Sequence, residues 1–167
     1  MRKNAVSLLS ASILGLVLAA GSVQAAPSLA ERRAIAAYQE GTYDTQLKAI
    51  QAAAGFEVPV EVQWDSIALP GREARYADDG FWTQIYFTPL SKALQAVAVD
   101  DMGKQALAAG LKQIVVHYDE ATAPGSAYAN GVTFADGVLT VNFVPYNNVD
   151  DVDARAAAIQ KALEAGL

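Results

Sequence analysis

Tyr128-Ala129-Asn130-Gly131-Val132-Thr133-Phe134-Ala135-Asp136-Gly137-Val138-Leu139-Thr140-Val141-Asn142-Phe143-Val144 is the stretch on which the fold turns. Two strand-like runs, Tyr128 to Phe134 and Val138 to Val144, meet across Asp136-Gly137. Both positions of that pair tolerate positive φ, which makes the dipeptide one of the strongest short hairpin signals. Upstream, Ile114-Val115-Val116 is β-branched and flanked by polar residues, so a strand is expected from about Lys112 to Tyr118. Val58, Val60, Val62 and Trp64 alternate with Pro59, Glu61 and Gln63 in the period of a half-buried strand, and Pro59 places that strand at an edge.

Helical spacing fills the rest. Ser28-Leu29-Ala30-Glu31 has the form of a capping box, in which serine and glutamate each satisfy an orphan N–H at a helix start. Leu29, Ile35, Tyr38, Leu47 and Ile50 follow at helical spacing, kinked or divided at Gly41-Thr42 and stopped by Gly55. Trp82, Ile85, Tyr86, Leu90, Leu94 and Val97 mark a further helical stretch that Pro89 starts anew or kinks. Asp100 is placed to cap a short helix ending before Gly110, and Asp150 or Asp151 to cap a last one with Val152, Ala156, Ile159 and Leu163 on one side. Strands linked mainly by short connections pair antiparallel. The expectation is therefore an α+β fold: an antiparallel sheet of about four strands with helices packed on one face, in the order α-β-α-α-β-β-β-α.

The beginning of the chain supplies an address. Arg2 and Lys3 precede an apolar run from Ala5 to Ala20, and Val23-Gln24-Ala25 offers small side chains where a signal peptidase needs them. Residues 1–25 read as a cleaved signal peptide and residues 26–167 as one mature domain, periplasmic or secreted, of the bacterial cell envelope. The apolar run is shorter than the roughly 20 residues that span a bilayer, so no stable membrane insertion is expected after cleavage. The formal net charge is −6, and loss of Arg2 and Lys3 makes the mature chain more acidic. That balance argues against nucleic acid as a partner. With no cysteine, the chain has neither disulfides nor a thiolate nucleophile.

Chemistry-bearing motifs are few. His117 is the only histidine, and one imidazole without a second histidine or a cysteine makes a poor transition-metal site; whether it is a core or an open-face residue depends on which sheet face the helices cover. Asp150, Asp151 and Asp153 supply oxygen ligands, but their spacing departs from a calcium loop and suits the first turn of a helix. Asp78-Asp79 reads as a solvated turn and Asp100-Asp101 as a helix cap. No metal and no cofactor is expected. The sequence lacks Gly-x-Ser-x-Gly, Ser-x-x-Lys, His-Glu-x-x-His and a glycine-rich phosphate loop.

The longest irregular segment runs from Asp65 to Gly80. Arg72, Arg75, Tyr76 and Trp82 border it and combine guanidinium and aromatic groups, the residue types enriched at binding hot spots. They are the expected partner-binding residues, with the Trp82 ring either presented to the partner or folded onto the core. The function that follows is a non-enzymatic binding protein of the envelope, an inhibitor, immunity or accessory protein that holds a protein or small-molecule ligand. The alternatives are an exported hydrolase using carboxylates among Asp65, Glu73, Asp78 and Asp79, with no catalytic residue assigned, and a small-ligand carrier.

Overall fold

The computed structural model describes residues 27–68, 70–76 and 81–167. The signal peptide expected over residues 1–25, and Asp78 and Asp79, lie outside them. No helix among the described residues is long and apolar enough to cross a membrane.

Helix α1 (Leu29–Tyr38) starts at the expected capping box, with Ser28 Oγ accepting from the Glu31 N–H and the Glu31 carboxylate accepting from the Ser28 N–H. The helical path neither breaks nor divides at Gly41-Thr42. It passes through a π-helical turn (Gln39–Tyr43) into α2 (Asp44–Ala54), which Gly55 closes in the left-handed conformation. A π turn inserts one residue into the helical repeat and so rotates the buried face. Tyr38 and Tyr43 thereby both reach one aromatic cluster with Trp64 and Phe87.

Strand β1 (Val60–Val62) is shorter than the alternation suggested, because Trp64 opens a one-turn helix α3 (Trp64–Ile67) instead of extending the strand. A second single turn, α4 (Glu73–Tyr76), follows. Another π turn (Thr83–Phe87) feeds α5 (Thr88–Val97), with Pro89 in its first turn. Asp100 caps α6 (Asp101–Gly110) as expected, accepting from the Gly103 N–H at 2.8 Å. Next come β2 (Gln113–His117), a 3-10 turn (Tyr128–Gly131), β3 (Val132–Ala135), β4 (Val138–Asn142) and α7 (Val152–Gly166).

The class, helices with a four-stranded sheet, is as expected; the strand directions are not. The sheet order is β1-β2-β4-β3, with β2 parallel to both β1 and β4 and only the β3–β4 hairpin antiparallel. The expected antiparallel sheet is thus corrected to a mixed one. The physical reason lies in the connections: residues 63–112 carry α3 to α6 between β1 and β2, long enough for a crossover between parallel strands, whereas residues 118–131 stay at the carboxyl end of β2 and start β3 from that same edge, antiparallel to β2. β3 takes the outer edge, one strand position away from β2, and the hairpin reverses the chain so that β4 fills the gap parallel to β2. Among the described residues the expected element order is also too simple, since four α-helices rather than two separate β1 from β2.

Ile114 and Val116 on β2 and Leu139 and Val141 on β4 are fully buried and join the core with Ile50, Ile85, Leu90, Leu94, Ile159 and Leu163 of the helices. Val115 and His117, and Thr140 across from Val115, lie on the less buried face. His117 is therefore not a core residue.

Candidate functional site

In a parallel sheet the strands deliver their carboxyl ends to one edge, where the following loops meet. Here Gln63 to Ser66 follow β1, Tyr118 to Glu120 follow β2 and Phe143 to Tyr146 follow β4. These loops are tied together by polar contacts of long sequence separation. Ser66 Oγ donates to the Gln63 carbonyl at 2.7 Å and accepts from the Tyr118 N–H at 3.1 Å. Asn142, at the end of β4, accepts from the Asp119 N–H through Oδ1 and donates to Thr122 Oγ1 through Nδ2, each at 3.0 Å. Thr122 Oγ1 in turn donates to Asp119 Oδ2 at 2.8 Å, which closes a ring through the Asp119 backbone N–H and the side chains of Asn142, Thr122 and Asp119. Donation by Thr122, then by the Ala121 N–H, holds the Asp119 carboxyl below its ordinary pKa, and His117 adds to the effect.

A second brace comes from α7. Arg155 is 1% exposed, and its guanidinium donates to the carbonyls of Asn147 at 2.6 Å and Asn148 at 2.7 Å. It stands over the Tyr128 ring at 4.5 Å, while the Tyr128 hydroxyl donates to Asp151 at 2.7 Å. Asp151 occupies the N-cap position of α7 without capping it, a correction to the expected role, because its carboxylate is directed to Tyr128. Asp153 pairs with Lys92. Asp151 and Asp153, two of the aspartates considered for calcium, thus serve separate partners, and no group of three or more potential metal ligands converges among the described residues.

What these braces present is Tyr146, 43% exposed on the loop after β4. The Arg72 guanidinium carbon lies 5.4 Å from its ring centroid. Tyr118 stands next to it: partial burial raises the Tyr118 pKa, and the adjoining phenol of Tyr146 raises it further. A guanidinium, two phenols and the Asp119 carboxylate therefore share the carboxyl edge of the sheet. Such a group has stacking area and both donors and acceptors, the chemistry of a recognition patch.

The four residues singled out in the sequence do not form one surface. Arg72 is exposed and belongs to the patch just described. Arg75 is exposed and sits over the Phe81 ring at 5.2 Å. Tyr76 closes α4. Trp82 takes the inward of its two possible positions: it is 1% exposed, donates through Nε1 to the Ile67 carbonyl at 3.2 Å and meets Tyr38 and Trp64 edge-on at 5.0 and 5.4 Å. As a surface contact Trp82 is corrected to a core residue, because the indole N–H finds its acceptor only inside the fold. Tyr118 and Tyr146 escaped sequence reading. The signal that would have found them is their position just beyond two strands, which acquires meaning only once those strands are known to be parallel. The chain matches no known protein-family profile, no curated protein and no solved structure.

Proposed function

We propose that this chain is an exported binding protein of the bacterial cell envelope, of inhibitor, immunity or accessory type, that holds its ligand at the carboxyl edge of the parallel strands through Arg72, Tyr118 and Tyr146. The observation that carries the reading is the exposed Tyr146 ring under the Arg72 guanidinium, on a loop fastened from beneath by a buried arginine. Aromatic and arginine groups held in place before binding are valuable, because little entropy is then lost in ordering them against a partner. The patch suits a protein segment or small ligand that presents a flat apolar group beside a carboxylate, which stacks on Tyr146 and pairs with Arg72. Export is supported by Arg2, Lys3, the Ala5 to Ala20 run and Val23-Gln24-Ala25, and cleavage there leaves Ala26 as the first residue.

The test is a capture from envelope extract with the immobilised mature chain, followed by affinity measurement on the isolated partner. Arg72→Ala and Tyr146→Ala should each fold cooperatively, and at least one should lose about 2 kcal/mol of binding. Full affinity in both folded variants would place the binding surface elsewhere. Intact mass of the recovered native protein should begin at Ala26; a full-length chain would refute cleavage.

A further inference from the structure

At the other end of the sheet, three of the most exposed large apolar side chains of the described residues converge. Val99 is 80% exposed, Met102 77% and Leu167 39%, and all three line one groove of about 400 Å³ with Ala96, Val97 and Ala106. Isolated exposed apolar residues are ordinary, but a concave cluster of them is not. A Cβ at Gly103 would collide with the Val97 carbonyl oxygen, so glycine lets α6 press against the end of α5, and the Asp100 cap fixes the turn that carries Val99 and Met102 outward. Leu167 is seated against Gly110, just ahead of β2, far along the strand from Tyr118.

The charged side chains lining the groove are Asp100 and Glu164, both acidic. Asp101 adjoins them, paired loosely with Lys104 at 3.5 Å. This charge pattern chooses the occupant. A second copy would set acidic rim against acidic rim, and an anionic lipid surface would be repelled. We infer that the groove between α5, α6 and the end of α7 is a docking site for a protein segment that places apolar side chains on Val99, Met102 and Leu167 and basic side chains beside Asp100 and Glu164. Like charges across an interface exclude wrong partners, and opposite ones speed encounter at low salt. This surface is separate from the Tyr146 patch, so either assignment can fail alone.

The probe is a short designed helical peptide with leucines at i, i+3, i+4 and i+7 flanked by lysines, compared with a glutamate-flanked counterpart. Methionine methyl labelling of the full chain reports directly, since Met1 and Met102 are the only methionines and Met102→Leu identifies the second signal. The lysine peptide should shift the Met102 signal saturably at low salt, with the effect fading at high salt, and the glutamate peptide should not. Val99→Ser with Met102→Ser, read by surface binding, should weaken the lysine peptide about tenfold or more. Asp100→Asn, which preserves capping, together with Glu164→Gln should flatten the salt dependence. Equal binding of both peptides, no shift with either, or unchanged affinity in the Val99/Met102 variant would overturn the inference. So would a Met102 signal that moves with protein concentration alone, which would identify a second copy as the occupant, or binding to phosphatidylglycerol vesicles.

Discussion

The guanidinium of Arg155 donates through Nη2 to the backbone carbonyl of Asn147 at 2.6 Å, so a side chain on the last helix fixes the loop that presents Tyr146. A second bond to the Asn148 carbonyl makes the contact a fork, and the amide groups of Asn147 and Asn148 donate onward to the Gly125 carbonyl. Burial lowers the Arg155 pKa from its ordinary value, with Tyr128 and Asp151 opposing that change, and an arginine remains charged throughout the physiological range. The cation is stabilised by carbonyl dipoles and aromatic faces, and the loop by the cation.

Replacing Arg155 therefore acts on stability and on the loop together. Arg155→Met leaves two carbonyls without their charged donor and should cost about 2–3 kcal/mol in urea denaturation. Arg155→Lys keeps the charge but loses the planar fork, so it should recover only part of that loss. A methionine variant as stable as the parent would show that the carbonyls find other donors.

Gly137 tests the hairpin. Asp136 and Gly137 have φ of 54° and 86°, and a Cβ at Gly137 would lie 2.8 Å from the Gly110 carbonyl oxygen. Gly137→Val combines backbone strain with that collision and should destabilise the protein by about 1 kcal/mol or more. Unchanged denaturation would contradict the turn geometry.

Trp82 and Arg75 separate core from surface. Trp82→Ala removes a buried indole from the cluster with Tyr38 and Trp64, and a loss of about 3–5 kcal/mol is expected. Trp82→Phe should retain part of the packing while leaving the Ile67 carbonyl without its donor. Arg75→Ala, at an exposed position, should stay within about 0.5 kcal/mol of the parent. The reverse ranking would turn this region inside out.

Tyr86 makes stability depend on alkaline pH. It is fully buried, its hydroxyl donates to the Phe143 carbonyl at 2.6 Å, and burial pushes its pKa well above the ordinary phenol value, partly offset by Arg155. Because the folded pKa is raised, the unfolded chain ionises first. The contribution of neutral Tyr86 is thus fully present below the unfolded pKa of about 10 and is lost progressively as pH rises above it. Tyr86→Phe should weaken that pH dependence, at the cost of the bond to Phe143. Phenolate absorbance in the parent should show at least one tyrosine titrating only with unfolding; smooth ionisation of all tyrosines in the folded protein would contradict the burial of Tyr86.

The sequence by itself determined what is decided within a few residues: the Ser28/Glu31 capping box, the Gly55 stop, the Asp100 cap and the Asp136-Gly137 hairpin. In each, donor, acceptor or special backbone angle lies within one turn of chain, so local chemistry suffices. Pro59 likewise marked β1 as an edge strand. Tertiary structure alone decided that β2 runs parallel to β1 and β4, that Trp82 turns inward to the Ile67 carbonyl, and that Arg72, Tyr118 and Tyr146 meet at one edge. Strand direction depends on how whole connecting segments pack across the sheet, and a ring's direction depends on which distant side chains fill the core around it. Neither competition is visible in the pattern of any one segment, and the candidate site is a product of both.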